Sequence, residues 1–165
     1  MPDLLPIKVS SQAEFDAVHT NAMFDVIEIV GSPIIEVRGY GTGYFGPRIT
    51  ILGATSPRIK VYDQSYTVIE TYENSRPLIE TFDNSETKVM TYDDSVPHVI
   101  ASDKSETTVE ARDRSQPNIS VLSKEMSEIE AYDKSCPIIT ASNTSKLKIY
   151  SFDMSEVKLI RNEMT

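Results

Sequence analysis

Residues 96–115 read VPHVIASDKS-ETTVEARDRS, and the repeat within this stretch decides the fold. Its two halves align without a gap, and the same ten-residue block recurs twelve times from residue 46 to residue 165. One position of each block is isoleucine, valine or leucine, and the position two residues later is small or β-branched in nearly every block. A spacing of two places both positions on one face of a β-strand. We therefore expect these two columns to face a core and the mostly polar residue between them to face solvent.

Proline doubles the period from ten to twenty. From residue 56 onward, it occupies the second position of alternate blocks, at Pro57, Pro77, Pro97, Pro117 and Pro137. Because proline can open a strand but cannot donate a hydrogen bond within it, two kinds of strand alternate. The sequence predicts an all-β fold, a single-stack parallel β-solenoid with two strands in each twenty-residue coil. Six coils stack to roughly 29 Å at the spacing of neighbouring strands.

Each strand is followed by turn chemistry, most often Tyr-Asp-x-Ser. The acidic column of these turns contains Asp63, Glu73, Asp83, Asp93, Asp103, Asp113, Asp133, Asp153 and Glu163. Aspartate and serine bond to their own backbone in turns, which explains the column without a ligand. Calcium is the alternative, but the β-rolls that bind it through aspartate ladders have GGxGxDxUx repeats, and this array has no glycine after Gly53. We expect no metal and no cofactor.

Residues 1–45 break the pattern and are expected to form an N-terminal cap. Ser11 to Glu14 matches a capping box, followed by Phe15 and Val18 at helical spacing, which predicts a short helix at about 11–20. Residues 24–30 and 34–38 are interpreted as irregular first strands. Residues 46–165 then form the solenoid. A terminal helix is the usual way to cover the end of a repeat array.

Composition excludes several classes of function. The net charge of −9 disfavours direct binding to nucleic acid, because phosphate contacts need a positive surface. Cys136 is the single cysteine, so a disulfide within the chain is impossible and a cysteine-based zinc site is strongly disfavoured. The first residues lack the features of a secretory signal, and the apolar runs are too short for a membrane span. We expect a cytoplasmic protein, or a virion component made in the cytosol.

Three candidate contact surfaces stand out. Splitting the aromatic column by side puts Tyr72, Tyr92, Arg112, Tyr132 and Phe152 in one stack. This stack is expected either to shield a corner of the coil or to form a platform for sugar rings or a protein partner.

A second candidate patch, with Tyr40, Tyr44 and Phe45, lies on the glycine loop 41–46. That loop matches GxGxxG but precedes a strand, so it is interpreted as a connection and not as a nucleotide site.

The C-terminal end is the third candidate, because the last coil of a solenoid presents unpaired strand edges. Flexible apolar residues concentrate there and predict a protein interface or self-association: Leu147, Met154, Leu159, Ile160 and Met164. Blunting of the edge by its basic residues, among them Arg161 in an inward column, is the competing interpretation.

Catalysis has little support in the sequence. His19 and His98 are the only histidines, and neither has a nucleophile beside it. The array also has no inserted loop on which an active site would be built. We therefore predict that the protein is not an enzyme.

The xVxAYDxS pattern, clearest in EARDRS, EAYDKS and ETYENS, resembles the decapeptide-repeat β-solenoid proteins of bacteria and their phages over residues 46–165. The resemblance implies the same fold and an origin in a phage or mobile element. The leading hypothesis is a non-enzymatic, rigid β-solenoid that acts as a structural or protein-binding element, including a part of a virion. The alternatives are an acidic inhibitor that imitates DNA and a carbohydrate-binding module that uses the aromatic stack.

Overall fold

The chain forms a β-solenoid of two parallel sheets, as the repeat predicts. The structure, a computed structural model, describes residues 6–19, 26–39, 46–142 and 144–162, with the side chain of His19 left out. Within these residues, eight strands form one sheet and seven form the other, and consecutive strands from β2 onward alternate between the two sheets. Eight strands at the usual spacing stack to about 34 Å.

The first sheet, called sheet A, consists in spatial order of β1 (Ile7–Val9), β2 (Val26–Ile29), β4 (Arg48–Ile51), β6 (Tyr66–Thr71), β8 (Glu86–Thr91), β10 (Glu106–Ala111), β12 (Met126–Ala131) and β14 (Lys146–Ser151). The second, called sheet B, consists of β3 (Ile34–Val37), β5 (Arg58–Val61), β7 (Leu78–Thr81), β9 (His98–Ala101), β11 (Asn118–Val121), β13 (Ile138–Ser142) and β15 (Lys158–Asn162).

The register confirms the twenty-residue coil. Ile69 lies opposite Ile49 on one side and opposite Val89 on the other. Strands β7, β9, β11 and β13 each begin one residue after a proline, and the proline carbonyls accept hydrogen bonds from the next coil. The first strands also belong to the stack, but with longer connections, since Ile34 lies opposite Arg58. They extend the solenoid to about seven turns.

The core is a narrow slab of aliphatic columns, bordered by columns of hydroxyl groups. The two predicted inward columns are fully buried in the middle coils, as at Ile129 and Ala131. The serine that closes each turn also points inward, which the sequence analysis did not anticipate. Thr91 Oγ1, for example, donates to Ser115 Oγ at 2.8 Å in the buried interior. Such bonds between coils, also formed by Thr71 and Thr81, satisfy some of the buried hydroxyl groups, whereas those of Ser75, Ser85 and Ser135 have no hydrogen-bond partner.

The predicted capping helix is present as α1 (Gln12–His19). It contacts β1 and β3, and Phe15 is completely buried in the core. The side-chain amide of Gln12 pairs with the free backbone of β3, because Glu36 N–H donates to its Oε1 (2.6 Å) and its Nε2 donates to Glu36 O (3.0 Å). One amide group therefore substitutes for the next strand of sheet B at this end.

Candidate functional site

The acidic column builds the corners of the solenoid. Eight of its residues have φ between 54° and 63°, in the left-handed region: Asp63, Glu73, Asp83, Asp93, Asp103, Asp113, Asp133 and Asp153. Aspartate tolerates this conformation better than most residues with a Cβ. Each turn is closed by a backbone bond, such as the one from Ser115 N–H to Arg112 O at 3.1 Å.

The carboxylates of this column also bind the backbone of the preceding coil. Asp93 N–H donates to Asp113 Oδ2, and Asp113 N–H donates to Asp133 Oδ2, both at 3.2 Å. The column therefore has a structural use that needs no metal. Among the described residues, no group of three or more histidine, cysteine, aspartate or glutamate side chains is arranged to hold a metal ion. Independence from calcium stays a prediction.

The structure brings the aromatic stack together at the corner that leads from sheet A to sheet B. Tyr72 and Tyr92 stack with ring centroids 4.7 Å apart, and Tyr132 and Phe152 do so at 4.8 Å. The guanidinium carbon of Arg112 lies 4.6 Å from the centroid of Tyr132. Tyr72 and Tyr92 therefore cover one another's ring faces, as Tyr132 and Phe152 do, and Arg112 covers Tyr132, so the stack shields this corner.

The opposite corner has a shorter stack, which the sequence analysis did not assign. Arg38 lies 3.9 Å above the ring of Tyr62, and Tyr62 stacks on Phe82 at 4.9 Å. In the following coils, the same position holds Ser102 and Leu122. The two corners are therefore not equivalent surfaces.

The outer faces of both sheets carry ion pairs that join neighbouring coils. Arg48 donates to Glu70 from Nε at 2.9 Å and from Nη2 at 2.6 Å. Arg58 donates to Glu80 in the same two-pronged way, at 2.5 and 2.8 Å. The hydrogen bonds from Arg58 hold the pKa of Glu80 below its ordinary value. Each pair links two strands from the outside.

A third such link involves Glu110, which is buried on the outer face of β10. Lys88 and Arg112 both bind its carboxylate. Burial raises the pKa of Glu110, but the hydrogen bonds and positive charges of its two partners outweigh burial and leave the pKa below its ordinary value. Sequence reasoning missed these ion pairs. A signal existed for Arg48–Glu70, Arg58–Glu80 and Lys88–Glu110, because in each the acid follows the base by twenty-two residues.

Among the described residues, α1 packs over the first coil, whereas no element packs over the last coil. The inward columns of the last coil are no longer covered, and Leu159 is 43% exposed while Ile139, one coil earlier, is fully buried. The predicted interface residues lie on different faces of this coil. Leu147 and Leu159 are in the inward columns, Met154 is 68% exposed at a corner, and Ile160 lies on the outer face of β15. Met164 lies outside the described residues.

Arg161 occupies an inward column that holds alanine in the preceding coil of sheet B. Its side chain is exposed, and Nη1 lies 3.4 Å from Ser142 O. The guanidinium therefore lies at the open end and is not buried in the slab.

The glycine-loop patch cannot be placed, because Tyr40, Tyr44 and Phe45 lie outside the described residues. Gly46, which follows them, has a clear structural role. A Cβ at this position would lie 1.5 Å from Tyr66 O, so no side chain fits between the two backbones.

Comparison of the chain with models of protein families, with curated proteins and with solved structures gives no match. No helix of the described residues has the length and apolar character needed to cross a membrane.

Proposed function

We propose that the protein is a rigid, non-enzymatic structural element that binds a protein through the open edge of its last coil. The observation that carries this proposal is the contrast between the two ends. At one end, α1 buries Phe15 and the amide of Gln12 satisfies the backbone of β3. At the other end, the described residues provide no cover for the inward columns or for the outer edges of β14 and β15.

The backbone of the last coil supports strand addition. Lys158 N–H donates to Pro137 O at 3.0 Å, and Phe152 N–H donates to Ala131 O at 2.9 Å, so these groups point back into the stack. Successive N–H groups of a strand point to opposite sides. The N–H groups of Ile149, Leu159 and Arg161 therefore point away from the stack. An exposed strand edge with this arrangement is a template for another strand.

The side chains of the last coil support the same proposal. Leu147, Ile149 and Val157 are only partly buried although they pack against the core, and Leu159 is more exposed still. A strand laid across this end would continue the aliphatic columns and remove apolar surface from water, at about 25 cal/mol per Å². The repeated corners, closed by stacked rings and backbone bonds, would hold the end in one shape during binding. A phage particle, as the resemblance implies, is one setting for such an element.

A peptide with the sequence of residues 66–85 tests the proposal, because this segment already forms the coil that pairs with β4 and β5. Binding of the labelled peptide to the full chain is measured by fluorescence anisotropy, with a scrambled peptide as control. Hydrogen exchange locates the site. We expect slower exchange of the amides of Ile149 and Leu159 when the peptide binds.

The matched variants are Arg161→Pro and Arg161→Ala. Proline removes the outward N–H, whereas alanine removes the side chain and keeps that N–H. We expect proline to weaken peptide binding about tenfold or more and alanine to change it by less than about threefold. Equal affinity in both variants, or no protection of β14 and β15, would refute binding at this edge. The mass of the chain in solution, measured by light scattering, shows whether a second copy occupies the same edge.

A further inference from the structure

We propose that the partner of the C-terminal edge is an acidic, extended segment of another protein, which adds in parallel to β14 and β15 and places carboxylates beside Lys148 and Lys158. This inference rests on the proposed function and specifies the chemistry of the partner. It comes from the way in which the array pairs its own charges between coils.

The outer faces follow a simple rule in two columns. The sheet A column that contains Arg48 continues through Lys88 to Lys148, and the sheet B column that contains Arg58 ends at Lys158. Arg48 lies opposite Val68, and its carboxylate partner is two residues further along the same strand. Three lysine or arginine residues of these columns lie on strands that are followed by another strand of the same sheet. Each forms an ion pair with a glutamate on that next strand: Arg48–Glu70, Arg58–Glu80 and Lys88–Glu110.

Lys148 and Lys158 occupy the same columns on the last strands of the two sheets. Both are exposed, and among the described residues no carboxylate lies within ion-pair distance of either ammonium, although Glu128 is directly opposite Lys148. The earlier cations pair with a glutamate on the next strand of their sheet, whereas the described residues contain no strand beyond β14 and β15. If another strand added to each sheet, the same rule would place a carboxylate near each lysine. That carboxylate would be two residues after the residue of the added strand that lies directly opposite the lysine.

The net charge of the last coil differs in sign from that of the whole chain. Residues 146–165, the last two blocks of the repeat, contain four basic residues and three acidic ones, which gives 4 − 3 = +1, whereas the chain carries −9. An acidic segment therefore meets a locally positive surface at this end and repulsion elsewhere. Such a field favours the C-terminal edge over the other faces.

A second copy of the chain fits this end less well. A two-fold, end-to-end dimer pairs the edge strands in antiparallel fashion and brings the lysines of both copies together. A head-to-tail stack that keeps the register places Lys8 of β1 opposite Tyr150, in the column where the earlier coils hold Glu70 and Glu110. A lysine in that place repels Lys148 instead of pairing with it, and α1 occupies the position where a strand would pair with β3. The charge pattern thus selects a partner with carboxylates over a copy of the chain.

The test uses three forms of the 66–85 peptide with the full chain. The native peptide carries Glu70 and Glu80 in the two positions that the rule requires. The other two carry Glu70→Gln with Glu80→Gln, and Glu70→Lys with Glu80→Lys. We expect the glutamine peptide to bind about three- to tenfold more weakly than the native one, the usual effect of two exposed ion pairs, and the lysine peptide to bind more weakly still. In 1 M salt the three affinities should converge.

The protein variants assign the effect to its residues. Lys148→Gln with Lys158→Gln should remove the preference for the glutamate peptide. Lys104→Gln with Lys134→Gln, at exposed corners, makes the same change in net charge and should leave the preference in place.

If all three peptides bind equally and Arg161→Pro still prevents binding, the edge accepts strands but the acidic preference is wrong. If the two lysine double variants lose the preference equally, the attraction belongs to the overall charge and the assignment is wrong. If no peptide binds and the mass of the chain does not change with concentration, the proposed function itself is wrong. A concentration-dependent dimer that the peptide displaces would identify a second copy as the occupant and overturn the acidic partner.

Discussion

Truncation at the same position of two ten-residue blocks, at Ile129 in sheet A and at Leu159 in sheet B, tests the core and the last coil together. Ile129 is completely buried in β12, between Val109 and Ile149 of the adjacent strands. The change Ile129→Ala removes three carbon atoms, which at about 0.8 kcal/mol per methylene amounts to about 2.4 kcal/mol. The cavity left behind adds to this cost, so we expect a loss of about 3 kcal/mol, within the range of about 2–5 kcal/mol for such changes.

Leu159→Ala is the matched change in the last coil. Because the residue is 43% exposed, only about half of the transfer free energy applies, and a void at an open end is filled by water. We expect a loss of about 1 kcal/mol, with local fraying of β15 in place of global unfolding.

Urea unfolding followed by circular dichroism measures both free energies, since the chain contains no tryptophan. Equal losses at the two positions would show that Leu159 is covered in solution. A loss of under about 1 kcal/mol at Ile129 would refute the assignment of the core column.

Three further predictions concern the corners. Asp103 has a φ of 56°, in the left-handed region, which asparagine tolerates better than alanine. In urea unfolding, Asp103→Asn should lower the free energy of unfolding by under about 1 kcal/mol and Asp103→Ala by about 1–2 kcal/mol. Equal losses would show that the left-handed conformation does not select the residue at this position. Burial raises the pKa of Tyr72 to about 12, so the neutral phenol stabilises the fold below pH 10 and this contribution is lost as the pH rises through 10 to 12. Absorbance titration should show a late phenol that Tyr72→Phe removes; a titration unchanged by this variant would contradict the assignment. Excess chelator should leave the melting temperature unchanged relative to added calcium, and a fall of tens of degrees would establish a calcium site in the acidic column.

The sequence was a strong guide to the fold because the solenoid repeats one local environment. Residues such as Ile69, Ile129 and Ile139 recur every ten positions, and a spacing of ten or twenty preserves the face of the strand. The capping helix was also predictable, since the spacing of Phe15 and Val18 differs from the strand period. The stack of Tyr72, Tyr92, Arg112, Tyr132 and Phe152 followed from the same arithmetic, because residues twenty apart become neighbours.

The candidate site was less predictable because it lies in the last described coil, whose strands have a neighbouring strand on one side only. Leu147, Met154, Leu159 and Ile160 are close in sequence, but the structure distributes them over the end, the corner and the outer face of the last coil. Composition identified the last coil as unusual, whereas the exposed backbone groups at Ile149, Leu159 and Arg161 depend on which way each strand faces its predecessor.

By itself, the sequence determined the coil length, the alternation of strands and the inward columns, because each depends on a period along the chain and on the geometry of a single strand. Only the tertiary structure decided which coil the helix covers and which charges meet. The amide of Gln12 reaches the backbone of β3 because α1 docks beside that strand, and Arg48 reaches Glu70 because its long side chain crosses diagonally to the next coil. Such contacts depend on the distances between coils and on the direction in which each side chain extends along its strand. The period of the sequence predicts which residues lie opposite each other but not this direction.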